Sequence, residues 1–289
     1  MKQITKAVIP CGGMGTRFLP ITKTMPKEML PVIDTPVLSY IVEEAAASGI
    51  TDVLIIINQK KQDIQRYFTP DSELEDTLEK AGKTVYLDRL KRIYSMAEVS
   101  FAYQPLPLGS GDAVMRARPF TGDDPFCLAW GDDLICAEKP VMRQLAEAFS
   151  DVGKPIVGVQ RMDTDDIVKY GVADAAQGTG RLHRLNDIVE KPPLSALPSR
   201  LASLGRYLMT KDIYDAIAAT SAGLGGEIQF TDALRKLCPG GLYAYEFEGK
   251  RYDMGDKFGA MQAATEFALK NSEIGLKYRE YLKQLVKTL

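Results

Sequence analysis

The opening of the chain constrains its fold more than any other stretch. A short β-branched run at residues 4–10, ITKAVIP, leads directly into a glycine cluster at Gly12, Gly13 and Gly15. Such a run, ended by glycines, reads as a buried strand followed by a tight loop. Thr35-Pro36 then opens a helix, with Thr as its cap and Pro at the first helical position, that runs to Gly49. Residues 52–58, DVLIIIN, form a continuous apolar run, the pattern of an internal parallel strand covered on both faces. Strand, helix and strand make a βαβ unit, whose crossover is expected to be right-handed.

The rest of the chain extends this pattern. Residues 59–96 read as charged helices, and 98–104 and 125–130 as strands, with a turn at 121–124 before the second. A helix at 138–150 leads to a strand at 154–160. Shorter strands follow at 172–175, 184–189 and 203–209, then helices at 211–219 and 229–237 and a strand at 242–248. Helices at 256–271 and 273–287 close the chain; the last carries an apolar face of Ile274, Leu276, Tyr278, Tyr281, Leu282 and Leu285. The expectation is an α/β fold with a Rossmann-like mixed, mainly parallel central sheet flanked by helices. With 289 residues and 45% hydrophobic side chains, the chain has the material for a sizeable core, so disorder, collagen and coiled coil drop out.

Charge and cysteines narrow the class. Lys+Arg number 36 and Asp+Glu 38, a net charge of −2, so nothing draws the chain as a whole to nucleic acid or to an anionic membrane. Cys11, Cys127, Cys136 and Cys238 form no C-x-x-C pair, which points to reduced thiols and a cytoplasmic protein rather than a disulfide scaffold or zinc ribbon. The first residues lack the apolar core of a signal peptide, and no apolar run approaches the roughly 18 residues of a membrane span. His183, the only histidine, lies in a polar stretch and is read as structural or exposed, which excludes a histidine-dependent triad.

The loop after the first strand reads CGGMGTRFLPITKTMPKEMLP. Its glycines let backbone N–H groups approach an anion, and Arg17 and Lys27 add positive charge, a combination suited to a triphosphate. Two common glycine motifs fail. A P-loop has no Gly-Lys to end on, since Arg17 stands five residues beyond Gly12, and the dinucleotide fingerprint from Gly13 meets Phe18 where it needs glycine. A glycine-rich turn serving only chain reversal is the plainer alternative. Elsewhere, Gln104 offers an amide with one acceptor and two donors. Ser110 or Asp112 reads as the cap of a helix at 111–118. Asp132 follows a buried strand, where open α/β sheets bind ligands, whereas Asp133 reads as a solvated turn residue. An acid past that strand together with Asp253 would suit magnesium, which takes one or two protein carboxylates. Glu190 and Lys191 end a strand at Pro192; as a plain surface ion pair they would contribute under about 1 kcal/mol.

The segment GGMGTRFLPITKTMPKEMLPVIDTPVL resembles the signature G-G-x-G-T-R-x-x-P…P-K-x-x-L-P of the nucleotidyltransferases that make sugar nucleotides. PKEMLP at 26–31 is similar to the bacterial members that join UTP to glucose 1-phosphate; members using dTTP usually read SKQLLP. The resemblance runs through several spaced motifs over nearly the whole chain. It implies that Gly12, Gly13, Gly15, Thr16 and Glu28 bind the nucleotide and that Arg17, Lys27 and Lys191 are catalytic. It implies that Gln104 and Gly109 read the base, and that Asp132 and Asp253 hold Mg²⁺ beside the nucleotide. Glu190 would bind the sugar hydroxyls, Lys191 the sugar phosphate, and Gly171 and Gly205 would flank the sugar, with 225–229 (GGEIQ) bordering it. Many members carry His where Asp112 stands.

The implied substrates are UTP and glucose 1-phosphate and the products UDP-glucose and pyrophosphate, formed by in-line attack with no covalent intermediate and no general base. The implied assembly is a homodimer or homotetramer. The expected organisation is one domain over 1–289: a nucleotide part at 1–160, a sugar-phosphate part at 161–255, and C-terminal helices at 256–289 as a candidate subunit contact. Three rivals stay open. The same chemistry with another base or sugar differs only through PKEMLP and the overall pattern. A sugar-nucleotide-binding modulator is disfavoured by intact Lys27, Asp132, Lys191 and Asp253, and an NAD-dependent oxidoreductase by the failed fingerprint.

Overall fold

A computed structural model describes residues 3–176, 180–223 and 226–288. Its strands are β1 (Lys6–Pro10), β2 (Pro31–Val32), β3 (Thr35–Pro36), β4 (Asp52–Ile57), β5 (Glu98–Tyr103), β6 (Phe126–Ala129), β7 (Asp133–Cys136), β8 (Ile156–Arg161), β9 (Gly171–Ala175), β10 (Leu182–Glu190), β11 (Leu201–Met209), β12 (Tyr243–Glu246) and β13 (Lys250–Asp253). Nine of them form one sheet in the order β5-β4-β1-β6-β11-β8-β12-β10-β9, and β11 pairs with β9 as well. The expected βαβ unit lies toward one edge, where β1 pairs in parallel with both β4 and β6. The sheet is mixed, but parallel pairing dominates only its first half. Beyond β6 the ladder turns antiparallel at β11 and again at β10, with one parallel pair, β8 with β12, between them.

Side-chain alternation builds a core on each face. Ala7, Ile9, Val53, Ile55 and Ile57 face a cluster with Leu38, Ile41 and Leu145 from the helices Val37–Ala47 and Val141–Val152. Val8, Leu54 and Ile56 face the other cluster, with Val114, Ile213, Phe230 and Leu234. Successive strand residues point to opposite faces, so a strand buried on both sides must be apolar throughout, as DVLIIIN is.

Several local readings are corrected. Thr35 does not cap the first helix: it lies in β3, paired with β2, its hydroxyl donates to Asp34 Oδ1 at 3.0 Å, and Pro36 stands at the cap. The helix expected at 111–118 is two short pieces, Ser110–Met115 and Arg118–Thr121. Gly109 caps the first, and neither Ser110 nor Asp112 serves as cap. The loop between β1 and the first helix holds three single 3₁₀ turns. Strands β7 and β13 went unread; they pair antiparallel with each other and hold Asp133 opposite Asp253. On the last helix, Gly275–Val286, Leu276 and Tyr281 are exposed, and Tyr278 stacks on Tyr281. No helix of the described residues is long and apolar enough to cross a membrane.

Candidate active site

The loops that follow β1, β4, β5 and β6 meet at the C-terminal edge of the parallel half of the sheet. This is where an open α/β sheet leaves a crevice. A cavity of about 430 Å³ opens there. It is lined by Gly12, Gly13, Arg17, Lys27, Glu28, Gln104, Gly109, Asp132, Gly171, Glu190, Lys191, Gly205 and Asp253. All of these were anticipated from sequence. Gly15 and Thr16 are not among the lining residues. They begin the turn at Thr16–Phe18, and the Gly15 carbonyl accepts from Thr22 Oγ1 at 2.8 Å. Of the expected border segment 225–229, Glu227 and Gln229 line the cavity, and Gly225 lies outside the described residues.

The end of the cavity beside the glycine loop is organised by paired charges. Lys27 donates to Asp132 Oδ2. Burial alone would lower the Lys27 pKa, but Asp132, then Glu28, outweigh it and hold the ammonium charged. Burial likewise pushes Asp132 upward, but Lys27 prevails and keeps its carboxylate below the ordinary range. Arg17 reaches the Gly255 carbonyl at 3.3 Å, tying the glycine loop to the segment after β13. Glu28 is fully buried, and both its oxygens accept from Lys61 Nζ, at 2.8 and 2.7 Å. Although Glu28 lines the cavity, its carboxylate is occupied by this pair; burial, opposed by Lys61, still raises its pKa.

Asp133 overturns its reading as a solvated turn residue. It is buried at the start of β7 and accepts from Arg251 Nε at 2.7 Å. A buried carboxylate needs such a partner. Arg251 also lies over the Tyr170 ring, 4.6 Å from its centre. Tyr170 in turn donates to Asp253 Oδ2 at 2.7 Å, while the Gly255 N–H donates to Asp253 Oδ1 at 3.0 Å. Burial pushes Tyr170 up to about 12, so it stays a donor.

At the end of β10 the question is how Glu190 and Lys191, neighbours on one strand, share a site. Lys191 answers it with a left-handed backbone, φ 45°, just past the end of β10. The chain turns there, and both side chains line the cavity with Lys191 Nζ 3.2 Å from Glu190 Oε1. Thr231 Oγ1 donates to Glu190 Oε2 at 2.7 Å. Gln104, just past β5, is buried, and its Nε2 donates to the Gly109 carbonyl at 3.0 Å and to Asp112 Oδ2 at 2.9 Å.

Sequence reasoning missed Lys61, Tyr170 as a side chain, Arg251, Arg206 and Thr231. Arg206 is wholly buried, clamped by Glu44 at 2.7 Å and bonded to the Asp133 carbonyl at 2.9 Å. A charged residue inside the apolar run LASLGRYLM was the available signal for it. Arg251 and Tyr170 adjoin motifs already singled out; nothing local marks Lys61 or Thr231. His183 lies away from the cavity, 2.9 Å from Glu246 Oε1, and all four cysteines are free thiols.

Two carboxylates could hold a cation. Asp132 Oδ2 and Asp253 Oδ1 stand 2.9 and 3.1 Å from one point, the place a Cβ on Gly255 would occupy. Hard oxygen donors of this number fit magnesium, which keeps several waters and substrate oxygens as its remaining ligands. Among the described residues no group of three or more His, Cys, Asp or Glu is placed to hold a metal.

Comparison with known proteins gives consistent likenesses. The nucleotidyl transferase family matches residues 6–270. The chain is 44% identical over 286 residues, 99% of each chain, to UTP–glucose-1-phosphate uridylyltransferase 2 of Staphylococcus saprophyticus. It is 44% identical over 275 residues, 95% of this chain and 94% of the other, to a UTP–glucose-1-phosphate uridylyltransferase of Bacillus subtilis. Among solved structures, the UTP-bound UGPase from Acinetobacter baumannii superimposes with a TM-score of 0.90 at 32% identity, covering 98% of this chain and all of that one. A UDP-glucose pyrophosphorylase complexed with UDP-glucose gives 0.84 at 34% identity, covering 93% of this chain and all of the other.

Proposed function

The chain belongs to the nucleotidyl transferase family, and from that premise we propose that it transfers the uridylyl group of UTP to glucose 1-phosphate, giving UDP-glucose and pyrophosphate. The observation that carries this reading is the convergence of Lys27, Asp132, Asp253, Glu190 and Lys191 on one cavity with Gln104. The full-length likeness to relatives named for this activity supports the choice of substrates.

A phosphate oxygen of glucose 1-phosphate attacks the α-phosphorus of UTP in line; the bond to the β-phosphate oxygen breaks and pyrophosphate leaves. The nucleophile is ionised near neutral pH, since the second pKa of a phosphate monoester is about 6, so no general base is required. The difficulty is bringing two polyanions together. Lys27 and Arg17 place cationic groups on the UTP side and Lys191 on the sugar-phosphate side, where they offset the repulsion. Glu190, held by Thr231, accepts from sugar hydroxyls, and the backbone at Gly171 and Gly205 flanks the ring. Asp132 and Asp253 would hold Mg²⁺, which when bound neutralises phosphate charge. Tyr170 and the Gly255 N–H fix the Asp253 carboxylate for that purpose.

On this reading residues 1–160 serve the nucleotide and 161–255 the sugar phosphate, and the exposed Leu276, Tyr281 and Val286 of 256–289 offer a contact for a homodimer or homotetramer. The protein would work in the cytoplasm, where both substrates occur. The test supplies the protein with Mg²⁺, glucose 1-phosphate and each nucleoside triphosphate in turn, and follows pyrophosphate. Release with UTP and not with CTP, ATP or GTP is expected. Release mainly with dTTP would overturn the choice of nucleotide, and none with any nucleotide or sugar phosphate would overturn the activity.

A further inference from the structure

The Gln104 amide has two donor hydrogens and one acceptor oxygen, and both donors are used on the protein side. Their partners, the Gly109 carbonyl and the Asp112 carboxylate, can only accept. Asp112 is itself buried and is compensated by Arg116, whose Nη2 donates to Oδ1 at 2.6 Å. Turning the amide over would set Oε1 against two acceptors in a closed space. Oε1 makes no hydrogen bond among the described residues, and no buried side-chain nitrogen or oxygen there lacks a partner. It therefore opens onto the cavity that Gln104 lines. It lies over the phosphate loop, where a Cβ on Gly12 would approach it to 2.5 Å.

We infer that Asp112, held by Arg116, is a positioning residue that fixes the Gln104 amide with its oxygen toward the cavity, so that the base pocket selects a pyrimidine carrying a ring N–H. This deepens the proposed function and rests on its assignment of Gln104 to the base. Uracil and thymine offer a ring N3–H to such an acceptor. Cytosine offers a lone pair at N3, which meets the oxygen unfavourably. A site left with an unpaired polar group rejects the wrong partner more strongly than a missing methyl group does. The other acceptor is built into the backbone. The Ile228 N–H donates to the Leu108 carbonyl and the Gly111 N–H to the Ile228 carbonyl, both at 2.8 Å. Gly109 fits between them at φ 100°, where a Cβ would come within 2.7 Å of backbone. Asp112 is thus the one of the two acceptors that substitution can remove.

The test compares wild type with Asp112→Ala and Asp112→Asn, measuring KM and kcat for UTP and CTP and, separately, the binding of each nucleotide by calorimetry. For Asp112→Ala the KM for UTP should rise about tenfold, with kcat changed by less than about threefold and KM for glucose 1-phosphate unaltered. The UTP-over-CTP preference should fall about tenfold. Asp112→Asn keeps an oxygen that can accept from Gln104 and should retain more of the preference. A folded Asp112→Ala with the wild-type UTP-over-CTP ratio overturns the inference, as does a fall in kcat with the ratio intact. Should Asp112→Ala not fold, Arg116→Ala is expected to erode the ratio in the same direction, and an unchanged ratio there overturns the inference too. The two readings fail separately: wild type that binds UTP over CTP but turns over neither sinks the activity, while the loss of that binding preference in Asp112→Ala still supports the positioning role.

Discussion

The carboxylate of Asp133 occupies the space that a Cβ on Gly205 would need. Gly205 stands at φ 72° in β11, between Ser203 and Tyr207, where the pairing with β8 shifts register. The bulge and the missing side chain together let the carboxylate reach Arg251. Gly205→Ala therefore carries two penalties. The left-handed backbone costs about 1–2 kcal/mol for a residue with a Cβ, and Asp133 must move off its guanidinium partner. Denaturant unfolding should show a loss above about 3 kcal/mol. A variant as stable as wild type would mean that β11 can relax at no cost, and the relationship would not hold.

The Asp133–Arg251 pair is buried, so removing one partner should be worse than removing both. Asp133→Ala leaves the Arg251 guanidinium without its main counter-charge, and Arg251→Ala strands the carboxylate; each should cost about 3–5 kcal/mol. The double variant should lose less than the sum of the two, with a coupling of about 1–3 kcal/mol in a double-mutant cycle. Additive losses would show that the contact carries no interaction energy of its own.

Most of what sequence could reach concerned elements whose signal is local. DVLIIIN was legible as a strand because both its faces are covered, and of the anticipated residues that line the cavity Gly12, Gly13, Gln104 and Asp132 follow β1, β5 and β6 at one sheet edge, while Gly171, Glu190, Lys191, Gly205 and Asp253 come from β9, β10, β11 and β13. Asp133 was misread because its burial depends on β13, residues 250–253, more than a hundred positions away and too short to show a period of its own. Lys61 was missed for the same reason: a lysine in a charged stretch looks solvated until Glu28 is seen to lie against it. The shared placement of Glu190 and Lys191 needed a backbone angle that no side-chain pattern reports.

That angle gives a prediction about Lys191. Its left-handed backbone, unusual for a residue with a Cβ, costs on the order of 1 kcal/mol, which glycine would not incur. Lys191→Gly and Lys191→Ala should both lose at least about a hundredfold in kcat/KM, since both remove the cation proposed to bind the sugar phosphate. Lys191→Gly should melt at or above the wild-type temperature, and Lys191→Ala should not exceed wild type. Near wild-type turnover in either variant would sink the catalytic assignment; a Gly variant less stable than the Ala variant would sink the strain argument.

The buried thiols supply a pH dependence with a definite sign. Cys127 is fully buried in β6, and burial, with Glu44 adding to it, pushes its pKa up to about 12. In the unfolded chain a thiol titrates near about 8.5. Below that pH both states keep the proton, and the group leaves stability unchanged with pH. Between the two values only the unfolded chain releases its proton, so stability falls as pH rises, by up to about 1.4 kcal/mol per pH unit from this group. Cys127→Ala removes the slope but also removes packing, so it should be less stable than wild type at pH 8, where the thiol is still mostly protonated in both states. At pH 10 the gap should narrow, because only wild type has lost stability to the thiol. Denaturant midpoints of the two proteins under reducing conditions measure this directly. A gap that is the same at both pH values would show that Cys127 titrates in the folded protein much as it does in the open chain, contrary to its place in the core.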